Sequence, residues 1–69
     1  MIAVNKLKAA IVESGLTQGE VAREIGLTDR GFRYRLKKGK FYNTEIEKLI
    51  SILPISDPMG IFFADKVTR

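Results

Sequence analysis

No cysteine and no histidine occur among the 69 residues, and each absence removes a class of chemistry. Without cysteine there is no disulfide and no thiolate metal site, and without histidine a zinc site would need carboxylates alone. The commonest general base and the thiol nucleophile are missing together, and no glycine-rich phosphate-cradling loop stands in for them. Ser14 after Glu13 and Ser56 before Asp57 read as helix-end chemistry rather than as nucleophiles. The sequence therefore predicts no enzyme: no catalytic residue, no metal site and no cofactor. No apolar run approaches the ~18 residues of a membrane span. The opening MIAVNKLKAAIV lacks the separate basic segment, apolar run and cleavage site of a signal peptide. No repeat, low-complexity tract or linker divides the chain. The expectation is one domain, residues 1–69, in the cytoplasm, with no second domain for a small-molecule ligand and no membrane partner. A chain this short buries a modest core, so its stability must come from efficient helix packing, helped by self-association.

What is present is concentrated. The net charge is +4, from twelve Lys and Arg against eight Asp and Glu. Six of those twelve, Arg30, Arg33, Arg35, Lys37, Lys38 and Lys40, fall between positions 30 and 40 without one acid among them. Clustering of this kind is the electrostatic footprint of a polyanion site. Glu13, Glu20, Glu24, Glu45, Glu47, Asp57 and Asp65 lie elsewhere, and Asp29 alone borders the cluster.

The stretch Thr17 to Gly39, TQGEVAREIGLTDRGFRYRLKKG, reads as two short helices joined by a tight turn. Thr17 with Glu20 is a capping box, each side chain satisfying a backbone N–H at the other position. Val21, Ala22 and Ile25 follow at helical spacing. Gly26 supplies the left-handed residue that closes a helix, Leu27 plugs the corner, and Thr28 is the N-cap of the next helix. That helix, Asp29 to about Lys37, splits into two faces at 100° per residue. Phe32 and Leu36 point inward. Arg30, Tyr34 and Lys37 lie opposite, with Arg33 on a flank. Two helices about a glycine turn, the second basic on its outer face, suit the major groove of DNA.

Here the sequence resembles the Cro/CI-like, or XRE-type, helix-turn-helix family of phage repressors and bacterial regulators. The matching residues are Leu16-Thr17-Gln18, Val21-Ala22, Ile25-Gly26-Leu27, Phe32 and Gly39, and the likeness runs from about Val4 to Phe63. In that family Gln18 opens the motif, Ala22 is small because the two helices cross there, and Gly26 makes the turn. One departure stands out: the family commonly spaces the two inward residues of the second helix by three, whereas Phe32 and Leu36 are four apart. Both spacings keep one face. The resemblance implies an all-α, five-helix, lambda-repressor-like fold built on a helix-turn-helix.

The flanking segments fit that plan. Asn5 to Glu13 reads as a first helix with Val4, Leu7, Ala10 and Ile11 inward; Lys6 and Lys8 are solvated or within reach of phosphate. After the second motif helix, the loop Lys38-Gly39-Lys40-Phe41-Tyr42-Asn43 tucks Phe41 into the core. Tyr42 suits either packing or a hydroxyl bond to phosphate. Thr44 with Glu47 repeats the capping-box pattern and predicts a fourth helix, Glu45 to Leu53, with Ile46, Leu49, Ile50 and Leu53 buried. Pro54 stops it. Asp57-Pro58 starts a short fifth helix to about Phe63.

The resemblance implies a sequence-specific transcriptional regulator that binds double-stranded DNA. Gln18, Thr28, Lys38, Lys40 and Asn43 would hold the backbone, while Asp29, Arg30, Arg33, Tyr34 and Lys37 would face the bases. Asp29 has three available roles: accepting from a cytosine amino group, orienting Arg33, or disfavouring wrong sequences. The operator should be an inverted repeat read by a homodimer, weak in solution, in a bacterial or phage-infected cell. Met59, Ile61, Phe62, Phe63 and Val67 are the candidate dimer contact. The same fold also serves protein-interaction regulators, such as anti-repressors, and antitoxins.

Overall fold

Gly15 sets the end of the first helix and the start of everything that follows. In the computed structural model, which describes residues 2–63, α1 spans Val4–Ser14 and ends on Gly15 at φ 81°, whose N–H donates to the Val12 carbonyl. A side chain is poorly tolerated at such a φ, and glycine is not. Ser14 completes the turn: its hydroxyl donates to the Ile11 carbonyl at 2.6 Å and accepts the Leu16 N–H at 3.1 Å. Leu7, Ala10 and Ile11 are the buried face of α1, and Val4 packs half-buried beside them.

Four more helices follow: α2 (Gln18–Glu24), α3 (Asp29–Lys38), α4 (Asn43–Ile52) and α5 (Pro58–Phe62). The described residues are all-helical, with no strand, and none of the helices is long and apolar enough to cross a membrane. The Thr17–Glu20 capping box forms in full. Glu20 N–H donates to Thr17 Oγ1 at 3.1 Å, and Thr17 N–H donates to Glu20 Oε1 at 2.8 Å. Gly26 takes φ 84°, the Leu27 N–H returns to the Ala22 carbonyl at 2.8 Å, and Thr28 Oγ1 accepts the Gly31 N–H at 3.0 Å. These bonds fix the angle at which α3 leaves α2. The contact between α2 and α3 is the most extensive between any two helices, and α1 also packs on α5.

One core lies under all five helices. Leu7, Val21, Ala22, Phe32 and Leu49 are fully shielded at 0% exposure, and Phe41 is buried beside Phe32, ring centroids 5.7 Å apart and tilted by 55°. The segment ahead of α1 stitches two distant elements together. Ile2 N–H donates to the Gly39 carbonyl at 3.1 Å and Ala3 N–H to the Ile61 carbonyl at 2.7 Å, with Ile2 itself in the core.

Two expectations fail around α4. It begins at Asn43 rather than Glu45 and ends at Ile52, so Thr44 lies inside the helix and cannot cap it. Glu45, not Glu47, reaches back, accepting the Tyr42 N–H at 2.9 Å. Starting the helix earlier puts Glu45 at the third helical position, where its carboxylate meets both that N–H and Arg35. The second failure is Ile50, which is exposed at 36% while Ile46, Leu49 and Leu53 are buried. Leu49 already fills the space under the helix, and its neighbour one position on points about 100° away.

Candidate nucleic-acid interface

The outer face of α3 is built by what its inner face must do. Phe32 and Leu36, at 0% and 6% exposure, anchor the helix on the core. With those two turned inward, the helical repeat leaves Asp29, Arg30, Arg33, Tyr34, Lys37 and Lys38 exposed. All five residues expected to face bases, Asp29, Arg30, Arg33, Tyr34 and Lys37, are thus exposed on one helix. Lys38 Nζ lies 5.6 Å from the centroid of the Tyr34 ring, which draws that cation and that aromatic together on the surface.

The residues expected to hold phosphate flank this face. Gln18 is the first residue of α2 and partly exposed. Thr28 is exposed; its oxygen is occupied as the α3 cap, but a hydroxyl that accepts keeps its proton free to donate outward. Lys38, Lys40 and Asn43 are exposed on the far side of α3, separated by Gly39 at φ 70° and by the buried anchor Phe41. Tyr42 is 66% exposed, so its ring lies outside the core, its centroid packed 4.6 Å from the Arg35 guanidinium carbon.

Lys6 and Lys8, equivalent in the sequence, are not equivalent in space. Lys8 shares a shallow cleft of about 360 Å3 with Gln18, Arg33 and Lys37. Lys6 faces another cleft, with Glu13 and Asp57 on its rim. Lys8 therefore extends the basic face across α1, while Lys6, two residues earlier and about 200° round the helix, points elsewhere.

Asp29 sits against the start of α2. A Cβ placed on Gly19 would stand 3.2 Å from Asp29 Oδ1 and 3.3 Å from Oδ2, a close approach that glycine permits. No ion pair joins Asp29 to Arg33 among the described residues, although both line one small cleft with Gln18 and Gly19. Of the three roles open to Asp29, orienting Arg33 through a direct pair is the one that does not appear.

Arg35 is the exception within the basic cluster. Its side chain is 24% exposed and turns from the α3 face toward α4, where Nε lies 2.9 Å from Glu45 Oε1 and donates to Oε2 at 3.1 Å.

The candidate dimer residues divide. Met59 and Phe63 are exposed at 55% and 37%, whereas Ile61 and Phe62 are buried at 8% and 4%. A helix of five residues has one inward face, and Ile61 and Phe62 are needed to close the core with it. Both are removed from the candidate contact, and Val67 lies outside the described residues. Comparison of the chain with protein-family models, with curated proteins and with solved structures finds no match.

Proposed function

We propose that this protein is a sequence-specific regulator of transcription that binds double-stranded DNA, with α2 and α3 acting as a helix-turn-helix of the phage-repressor type. In this reading it is not an enzyme and needs no cofactor. The observation that carries it is the α3 surface: Arg30, Tyr34 and Lys37 exposed opposite the buried Phe32 and Leu36, with Arg33 exposed on the flank. A helix presenting that set fits the width of the major groove, where arginine pairs with guanine edges. In this reading Gln18, Thr28 and Lys8 on one flank, and Lys38, Lys40 and Asn43 at the C-terminal end of α3, hold the phosphates that border the groove.

One such unit covers about half of a typical operator, and single modules seldom reach the affinity a regulator needs. Two copies on an inverted repeat supply it, with Met59 and Phe63 as the contact surface, small enough for a weak dimer that DNA tightens. The test is duplex binding by purified protein across a range of salt. About four to six phosphate contacts per subunit give a log–log slope near −4 to −5 for one subunit and about twice that for two. A slope near zero on every duplex rejects the proposal.

A further inference from the structure

The cation that turns away from the α3 face is placed with more care than those that stay on it. Arg35 holds the loop that follows α3 at both of its own ends. Its carbonyl accepts the N–H groups of Gly39 at 2.8 Å and Lys40 at 3.2 Å, closing the helix. Its guanidinium reaches across to Glu45, the third residue of α4, with Nε donating to Oε2. The other carboxylate oxygen, Oε1, accepts the N–H of Tyr42, the residue that caps α4. The guanidinium carbon then lies 4.6 Å from the centroid of the Tyr42 ring, within the range of a cation–π contact. Three residues thus form a closed triangle, with Glu45 only 7% exposed at its centre.

We propose that Arg35, Glu45 and Tyr42 form a tie that fixes the angle between α3 and the 39–43 loop, making Arg35 and Glu45 positioning residues for DNA recognition rather than contacts to it. The inference rests on the proposed function and adds to it a device for registering two sets of contacts. Lys38, Lys40 and Asn43 would hold phosphates, and Arg30, Arg33 and Tyr34 would read bases. Only the rigidity of the segment between them decides whether both sets are satisfied on one duplex. Phe41 on Phe32 and the Ile2–Gly39 bond anchor the inner side of this loop, and the triangle holds its outer side. Glu45 is the natural centre: a carboxylate that buried requires its donors, so losing one loosens the whole arrangement.

Simple electrostatics and positioning predict opposite results for one substitution. Glu45→Gln removes an acid beside the basic face and frees a guanidinium. Charge alone would make the protein bind every duplex more tightly. The tie predicts weaker binding to the right sequence and little change on others. Arg35→Lys is the companion variant, keeping the charge and the Glu45–Tyr42 bond while losing the planar donor geometry. The probes are the duplex that the wild-type protein selects from a random-sequence pool and a scrambled duplex of equal length.

Each variant is expected to lower the selected-to-scrambled affinity ratio on the order of tenfold, about the effect of one lost base contact, with the salt slope on the scrambled duplex unchanged. In the free protein, hydrogen exchange at the Tyr42 amide and the Arg35 Nε–H should be slow and become faster in Glu45→Gln. The proposal is overturned if Glu45→Gln binds both duplexes more tightly, or if Arg35→Lys keeps the wild-type ratio. Should the wild-type protein select no duplex, the proposed function fails, and the exchange arm still decides the tie. Unprotected Tyr42 and Arg35 protons in the wild type would overturn it outright.

Discussion

The third helix and the fifth meet the same core and present opposite surfaces to solvent. Along α3, two buried residues anchor ten, and the outward positions are charged or carry a tyrosine hydroxyl. Along α5, two buried residues anchor only five, and the outward Met59 is apolar, as is Phe63 just past its end. Length explains part of the contrast. A ten-residue helix has room to separate an anchoring stripe from a working face, whereas a single turn and a half has little left after its two closing residues. Charge explains the rest. Exposed cations gathered on one helix suit a polyanion, and exposed apolar side chains beside a closed core suit another protein surface. The two surfaces thus differ in chemistry, cationic on α3 and apolar on α5, and the short α5 segment has less structure to lose.

The contrast breaks most sharply at the anchors. Phe32→Ala should cost about 3–5 kcal/mol, the usual penalty for emptying a fully buried aromatic site, while Met59→Ala on the exposed side of α5 should stay within about 0.5 kcal/mol. Denaturant midpoints check both. Equal effects would mean that α5 carries as much of the core as α3.

Between these extremes lies the α2–α3 contact. Ala22 is fully buried, and its carbonyl receives the Leu27 N–H that shapes the corner. Ala22→Leu forces extra methylenes into this space and should destabilise by about 1–3 kcal/mol. An unchanged melting temperature would show that α2 and α3 do not depend on close approach at this residue.

The local rules account for the first half of the chain. The Thr17–Glu20 box, Gly26 and the Thr28 cap are satisfied within a few residues of themselves, so sequence spacing and structure agree. Phe32 and Leu36 are also where periodicity predicts them, and Phe41 is tucked into the core as its loop position suggests. The second half depends on contacts that spacing does not contain. Thr44-x-x-Glu47 is as good a capping pattern as Thr17-x-x-Glu20, yet it stays unused: the helix starts at Asn43, and Glu45 meets both the Tyr42 N–H and Arg35, ten residues upstream. For the same reason Arg35 counts as a surface cation by sequence and is a structural one in space. Ile61 and Phe62 are indistinguishable from Met59 and Phe63 by hydrophobicity, and only the placement of α5 separates core from surface. The role of Ile2 gives no local signal, because it consists of a backbone bond to Gly39 and burial against residues far along the chain.

The smallest expected effect concerns assembly. Phe63 is 37% exposed and lies outside the buried core, so Phe63→Asp is expected to stay folded, which its melting curve checks. It should weaken binding to a full inverted repeat by about 1 kcal/mol or less, as most interface positions do, and leave half-site binding unchanged. Sedimentation and paired full-site and half-site titrations read this out. Full-site binding at the wild-type level would remove α5 as the dimer surface.

The central claim is that the exposed face of α3 reads sequence while its flanks only hold the backbone. Arg30→Ala and Lys40→Ala separate the two when each is titrated against the selected duplex and its single-base variants. Arg30→Ala should cost about 1–3 kcal/mol on the selected duplex and abolish discrimination at one base position, whereas Lys40→Ala should weaken all the duplexes about equally and lower the salt slope by about one. Uniform losses from both substitutions, with discrimination intact at every position, would contradict the account.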